Sequence, residues 1–243
     1  MRLPKLPVLL FLCAAAVPAL AGPLDDGLAA YRKGDWSAAV TLLRPLAEQG
    51  DAQAQERLGR LYERGKGVPR DYAQALEWHL KAAEQGNALA QGHAGFIYRS
   101  GAAGKPDYAA ALKWYTAAAA QGDRLAQIGL GYMYADGEGV AMDDDAALAL
   151  FRKGAEQGDA LGALTLGSMY KIGKGVPKDK VEAVKWFTLA ASSTDQEYDE
   201  DLAAKARREL ENLDAELTPG EVAQGRQRAR TWKATPAQTT PTK

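Results

Sequence analysis

Gly50, Gly86, Gly122 and Gly158 stand 36 residues apart, and each opens a similar segment. The first reads GDAQAQERLGRLYERGKGVPRDYAQALEWHLKAAEQ and the second GNALAQGHAGFIYRSGAAGKPDYAAALKWYTAAAAQ. The third reads GDRLAQIGLGYMYADGEGVAMDDDAALALFRKGAEQ and the fourth GDALGALTLGSMYKIGKGVPKDKVEAVKWFTLAASS. No insertion is needed to align them. A fixed period of this length means that one supersecondary unit is repeated and that neighbouring units stack to bury a shared core. The composition says what the unit is made of. Ala occurs 48 times and Gly 25 times, against only 12 Val and Ile together. Strands want β-branched residues, whereas Ala is the best helix former. The unit is therefore a helical hairpin, and the expected fold is all-α: an α-solenoid of stacked hairpins forming a right-handed superhelix.

The columns of the alignment carry physical meaning. Gly59, Gly95, Gly131 and Gly167 fall inside the first helix of each unit (helix A). Glycine costs about 1 kcal/mol there relative to Ala, so its recurrence implies close approach of a neighbour. Tyr62, Tyr98, Tyr134 and Tyr170 follow, and then Gly65, Gly101, Gly137 and Gly173 suit helix C-caps. Asp71, Asp107, Asp143 and Asp179 stand where helix B begins and read as N-caps. Ala75, Ala111, Ala147 and Ala183, with Trp78, Trp114, Leu150 and Trp186, continue the apolar face of helix B. These segments resemble the Sel-one-like repeat (SLR) family, a branch of the tetratricopeptide superfamily. The resemblance implies a superhelical binding scaffold, of a kind often exported by bacteria for signalling, envelope assembly or host contact. Some exported members are β-lactamase-like and carry paired cysteines in each repeat, which this chain lacks.

The expected organisation has six parts. Residues 1–21 have the pattern of a secretory signal peptide: Arg2 and Lys5, an apolar run from Val8 to Val17, then small residues ending at Ala21. That run is too short to span a bilayer, which needs about 20 residues. The only cysteine, Cys13, lies inside it, so a chain cut after Ala21 has no thiol. Residues 22–49 form a degenerate, tetratricopeptide-like opening hairpin. Four repeats follow at 50–85, 86–121, 122–157 and 158–193. Residues 194–232 supply capping helices, of which the second begins with the capping box Thr218-Pro219-Gly220-Glu221. A disordered tail is expected at 233–243. The expected location is periplasmic or secreted, and the expected oligomeric state is a monomer or weak oligomer.

Chemistry is searched for next. Charge is balanced, with 30 Lys and Arg against 31 Asp and Glu, which leaves no electrostatic footprint for nucleic acid. Ser168-Met169-Tyr170-Lys171 matches S-x-x-K, the nucleophile motif of penicillin-recognising enzymes, but no S-D-N or K-T-G element accompanies it. His79 and His93 are 14 residues apart with no obvious third ligand, so a surface or groove role is expected instead of zinc. Asp143-Asp144-Asp145 favours a helix dipole at the start of a helix B and lacks calcium-loop spacing. No catalytic residue, metal or cofactor is expected.

The residues that do not repeat point to a partner. On helix A the variable positions recur at steps of three and four, tracing one face. In tetratricopeptide-like solenoids helix A lines the concave side. The first unit places Gln53, Glu56, Arg57, Arg60, Glu63 and Arg64 there, and the second Leu89, His93, Phe96, Arg99 and Ser100. The third places Leu125, Ile128, Tyr132 and Asp136, and the fourth Leu161, Leu164, Thr165, Ser168 and Lys171. An apolar stripe flanked by Arg is a signature of a peptide or protein interface. The sequence leaves a second use open, burial of part of this face against the next helix A. Leu89, Leu125 and Leu161 share a column suited to such packing. The candidate contact residues are Arg57, Arg60, Arg64, His93, Phe96, Arg99, Ile128, Tyr132 and Lys171. The expectation is a non-enzymatic scaffold for a protein or peptide. The alternatives are an enzyme of the penicillin-recognising or cell-wall-acting type, and a structural spacer in a secretion or polysaccharide-export complex.

Overall fold

The computed structural model describes residues 22–192 and 200–233. The signal peptide and tail expected at the two ends lie outside the described residues, apart from Lys233. The described residues form helices without strands. An opening hairpin, α1 (Pro23–Lys33) and α2 (Trp36–Glu48), precedes four helix pairs. The A helices are α3 (Ala52–Arg64), α5 (Ala88–Ser100), α7 (Arg124–Asp136) and α9 (Ala160–Ile172). The B helices are α4 (Tyr72–Glu84), α6 (Tyr108–Ala120), α8 (Asp144–Glu156) and α10 (Lys180–Ala191). Two closing helices follow, α11 (Glu200–Glu216) and α12 (Pro219–Thr231). Consecutive helices pack in order, and α10 also packs on both closing helices, so contacts run along the chain as in an α-solenoid.

Each hairpin is closed by the same local bonds. The A helices end on a left-handed glycine, Gly65, Gly101, Gly137 or Gly173. The backbone N–H of the Asp at the start of helix B donates to the carbonyl of the column tyrosine. These bonds run from Asp71 to Tyr62 at 3.0 Å, Asp107 to Tyr98 at 2.9 Å, Asp143 to Tyr134 at 3.0 Å and Asp179 to Tyr170 at 2.9 Å. The same Asp residues accept backbone N–H bonds from the first turn of helix B, as expected of N-caps. One polypeptide loop thus caps two helices.

The mid-helix glycines explain why the pairs come close. An aromatic ring from helix B sits over each one: His79 over Gly59, Tyr115 over Gly95, Phe151 over Gly131 and Phe187 over Gly167. A Cβ added at Gly95 would lie 2.6 Å from Tyr115 Cδ1, inside contact distance. The close neighbour implied by the glycine column is therefore a ring. A glutamine pair links the two helices within each of the first three repeats, and backbone bonds from the same column reach the preceding unit. Gln85 donates to Gln55 Oε1, Gln121 to Gln91 Oε1 and Gln157 to Gln127 Oε1, each at 2.8 Å. Gln55 and Gln91 in turn donate to the carbonyls of Ala47 and Ala83 in the preceding helix. Buried amides persist only when bonded in this way.

The solenoid ends on α11 and α12. Leu213 of α11 is fully buried with Ala183, Val184 and Phe187 of α10, and Trp232 stands edge-on to Trp186 at 6.0 Å. Gly225 lets α12 reach Val184, whose Cβ is 2.6 Å from where a side chain would begin.

Gly95→Ala is expected to lower the melting temperature. Overpacking against the buried Tyr115 ring costs about 1–3 kcal/mol, of which better helix propensity returns about 1. Gly220→Ala, where nothing lies within 4 Å, is the control and leaves it unchanged or higher. An unshifted melt for Gly95→Ala contradicts the ring-on-glycine account.

Candidate functional site

The nonrepeating face of the A helices is not uniform. Its first part opens into a pocket of about 620 Å³, built by α3, α5, the start of α7 and the loop after α3. Arg60, Arg64, Lys66 and Arg70 form one wall, and Leu89, Phe96 and Leu125 another. Phe96 and Leu89 are 36% and 44% exposed, unusual for large apolar side chains in this chain. The shared column of Leu89, Leu125 and Leu161 therefore splits. Leu89 and Leu125 line the pocket, while Leu161 packs against the core of the last two repeats.

The pocket floor holds the one cluster of potential metal-binding side chains among the described residues. Glu63 from α3, His79 from α4 and His93 from α5 bring their donor atoms within 4.8 Å of one another. This corrects two parts of the sequence expectation, a surface or groove place for His79 and the lack of a third group near the pair. His79 is fully buried, and Glu63 is the third group that spacing alone did not reveal. His79 holds the seat that Tyr115, Phe151 and Phe187 fill in later repeats, so helix packing carries it inside. Burying an imidazole requires a polar partner. Its Nε2 is 3.3 Å from Glu63 Oε2, and His93 Nδ1 is 2.9 Å from the same oxygen. One carboxylate oxygen thus stands between the two rings.

The arrangement does not fit a metal ion. The two rings stack with centroids 4.9 Å apart and planes 10° from parallel. Imidazole nitrogens bind zinc at about 2.0–2.1 Å along in-plane lone pairs, and no point lies on both in stacked rings. His79 Nδ1 also lacks the hydrogen-bond partner that orients a metal-binding imidazole. Burial and pairing shift the titration of two of the cluster's members. Burial opposes ionisation of Glu63, but the bonds and charges of the two histidines outweigh it and hold the carboxyl well below its usual range. Burial pushes His79 down from 6.5, and Glu63 recovers only part of that loss.

The other predicted contacts do different work. Arg57 lies over the Tyr31 ring at 5.2 Å and pairs with Glu56, joining α3 to the opening hairpin. Arg60, Arg64, His93 and Phe96 all line the pocket. Arg99 does not: it pairs with Glu138 and Asp136 and covers the Tyr132 ring at 5.2 Å, clasping repeats two and three. Tyr132 bonds Thr165 at 2.7 Å and stands edge-on to Phe151, so it joins repeats three and four. Ile128 is a correction: it is 2% exposed, and its side chain fills the space beside Gly154 and Gly162. Isoleucine at that position is core. Lys171 is the second correction, because it pairs with Glu209 of α11 at 2.6 Å and ties the solenoid to its closing helix. The same ion pair separates the S-x-x-K elements, since Ser168 donates to the Leu164 carbonyl instead of engaging Lys171. Lys66, Arg70 and Arg124 were missed. The first two sit in a loop, and Arg124 in a first turn, outside the columns that define the helix A face.

A family model for the Sel1 repeat matches residues 52–87, 88–123, 124–159 and 161–195. The chain belongs to the Sel1 repeat family. An Escherichia coli structure, a protective antigen of uropathogenic strains displaying an SLR fold, is similar at 29% identity and TM-score 0.75. The match covers 92% of this chain and 51% of that one. A Sel1 repeat protein from Oxalobacter formigenes is 38% identical with TM-score 0.58, over 74% of this chain and 50% of that one. The chain thus spans about half the length of these two relatives. A Klebsiella pneumoniae Sel1 repeat structure, at 23% identity and TM-score 0.53, shares the fold. No curated protein matches the chain. The Sel1 repeat fold commonly mediates protein–protein interaction. No helix among the described residues is long and apolar enough to cross a membrane.

Acidification is expected to destabilise the fold in a way that depends on His79. Below its ordinary value of 6.5 the unfolded chain takes up a proton that the buried imidazole refuses, so stability is full above that value and falls beneath it. Glu63 adds a further loss below its ordinary 4.5, where the unfolded carboxyl protonates first. His79→Phe installs the ring that Phe151 and Phe187 supply elsewhere. The drop in melting temperature between about pH 7.5 and about pH 5.5 is expected to shrink in this variant. An identical drop in both proteins excludes His79 as the source.

Proposed function

We propose that this Sel1 repeat protein is an exported, non-enzymatic scaffold of a bacterial envelope, which captures a protein partner on the helix A face and serves signalling or assembly there. The observation that carries the reading is the 620 Å³ pocket lined by residues that the repeat does not need. Tyr62, Gly65 and Asp71 recur because the hairpin requires them, whereas Arg60, Arg64, His93 and Phe96 change from unit to unit. Exposed aromatic and Arg side chains around a concavity are the usual anchors of an interface. Export rests on the basic, apolar and small-residue pattern of Met1 to Ala21.

Cell fractionation followed by N-terminal sequencing tests the export step, with a mature chain beginning at Gly22 as the expected result. Crosslinking capture from the same fraction tests the binding step. Phe96→Ala combined with Arg64→Glu is expected to reduce partner recovery by about tenfold, the scale of losing one anchor residue. Tyr132→Ala, which disturbs a contact between repeats, serves as the control for general weakening. Equal recovery by the pocket variant and the native chain defeats the assignment of the face.

A further inference from the structure

We infer that the pocket receives an acidic segment of the partner, in which carboxylates flank an apolar side chain. This rests on the helix A face being the binding face and specifies what it recognises. The lining carries five cationic side chains, Arg60, Arg64, Lys66, Arg70 and Arg124, against two carboxylates, Glu63 and Asp123. Both carboxylates are committed to the fold. Glu63 faces the two histidines, and Asp123 accepts the backbone N–H of Ala126 at 2.8 Å as the cap of α7. Arg124 pairs with Asp159, Arg60 with Glu56, and Arg64 is engaged within the fold as well, so the exposed cationic heads left to face a ligand are those of Lys66 and Arg70. Aromatic faces steady both without neutralising charge. Lys66 lies 6.0 Å from the Trp36 ring and Arg70 5.9 Å from that of Tyr72.

Nothing in the repeat calls for this charge. The four columns that hold Arg60, Arg64, Lys66 and Arg70 contain Phe96, Ser100, Ala102 and Pro106 in the second unit. In the third they contain Tyr132, Asp136, Glu138 and Met142. Cationic residues occupy all four columns only in the first unit, and Phe96 lines the same pocket. Apolar and cationic groups are therefore juxtaposed across one concavity, and a ligand satisfying both carries both kinds of group. Phe96, Leu89 and Leu125 offer an apolar seat that a bare polyanion leaves unused. The chain as a whole carries a net charge of −1, which supplies no long-range attraction for a nucleic acid or other extended polyanion. Charge complementarity here is local, matched to a short peptide segment.

Fluorescence anisotropy on the full chain tests this with a labelled peptide, Glu-Leu-Glu-Glu-Phe-Glu-Glu-Leu-Glu, and its counterpart in which every Glu is Gln. The acidic peptide is expected to bind, and to weaken by about tenfold as salt rises from about 50 to about 300 mM. The Gln peptide is expected to bind at least about tenfold more weakly, reflecting lost charge-assisted contacts. Lys66→Glu with Arg70→Glu, two exposed loop positions, is expected to abolish the difference between the peptides while leaving the thermal melt unchanged. Phe96→Ala weakens the acidic peptide at every salt concentration. Equal affinity for the two peptides overturns the proposal, as does no binding of the acidic one. Inorganic polyphosphate binding more tightly than the peptide, and indifferent to Phe96→Ala, also overturns it in favour of a phosphate polyanion. If the peptides fail while captured partner still depends on Phe96, the acidic specificity falls and the binding face stands. If capture is insensitive too, both fall.

Discussion

Everything in this solenoid depends on a ring seated on a glycine. A helical hairpin rich in alanine has little apolar area to bury, so the helices must approach until their backbones nearly touch. The glycine column supplies the approach, and the ring from helix B supplies the area that alanine lacks. Tyr115 shows the arrangement at its tightest, lying against both Gly95 and Gly129. The apparent waste of a glycine inside a helix is offset by dispersion and burial over a whole aromatic face.

That constraint also produces the most unusual chemistry in the molecule. The first repeat places His79 in the seat, and the seat is completely buried. A neutral hydrocarbon ring would need nothing more, but an imidazole brings two polar nitrogens with it. Glu63 of α3 answers one of them, and His93 of α5 stacks on the ring and meets the same carboxylate oxygen. The result is a titratable cluster that joins two repeats and forms the floor of the pocket at the same time. Packing forces the histidine inside, and electrostatics then selects its neighbours.

The period made the fold legible because each column is fixed by a local requirement: a cap, a left-handed turn or a close approach. Asp71 and Gly65 can be read in one dimension, since their partners are a few residues away. The glutamine pairs escaped notice although Gln55, Gln91 and Gln127 share a column, because amides in a helix look like surface until their partners from the neighbouring helix are seen. The site was legible only in part. Variation between repeats marked Arg60, Arg64, His93 and Phe96, all of which reach the pocket. The same criterion also marked Ile128, Arg99, Tyr132 and Lys171, because a contact between particular repeats varies just as freely as a contact with a ligand. Glu63 and His79 became a cluster only when three helices were brought together.

These two kinds of variable residue are arranged in order along the solenoid. Toward the closing end, the helix A face spends its polar groups internally: Arg99 on Glu138, Tyr132 on Thr165 and Lys171 on Glu209. At the opening end the column of Tyr132 holds Arg60 and the exposed Phe96, which with Arg64 line a concavity. A repeat array has no reason to differ in this way for stability alone, since each unit meets its neighbours through the same columns. The ion pairs of the later repeats stiffen the stack behind the pocket, so a ligand seated there meets a preorganised wall. Rigidity of that kind lowers the ordering cost of binding. The division of labour therefore follows from one economy of design, in which repeating columns build the hairpin and the remaining positions are left to clasp or to recognise.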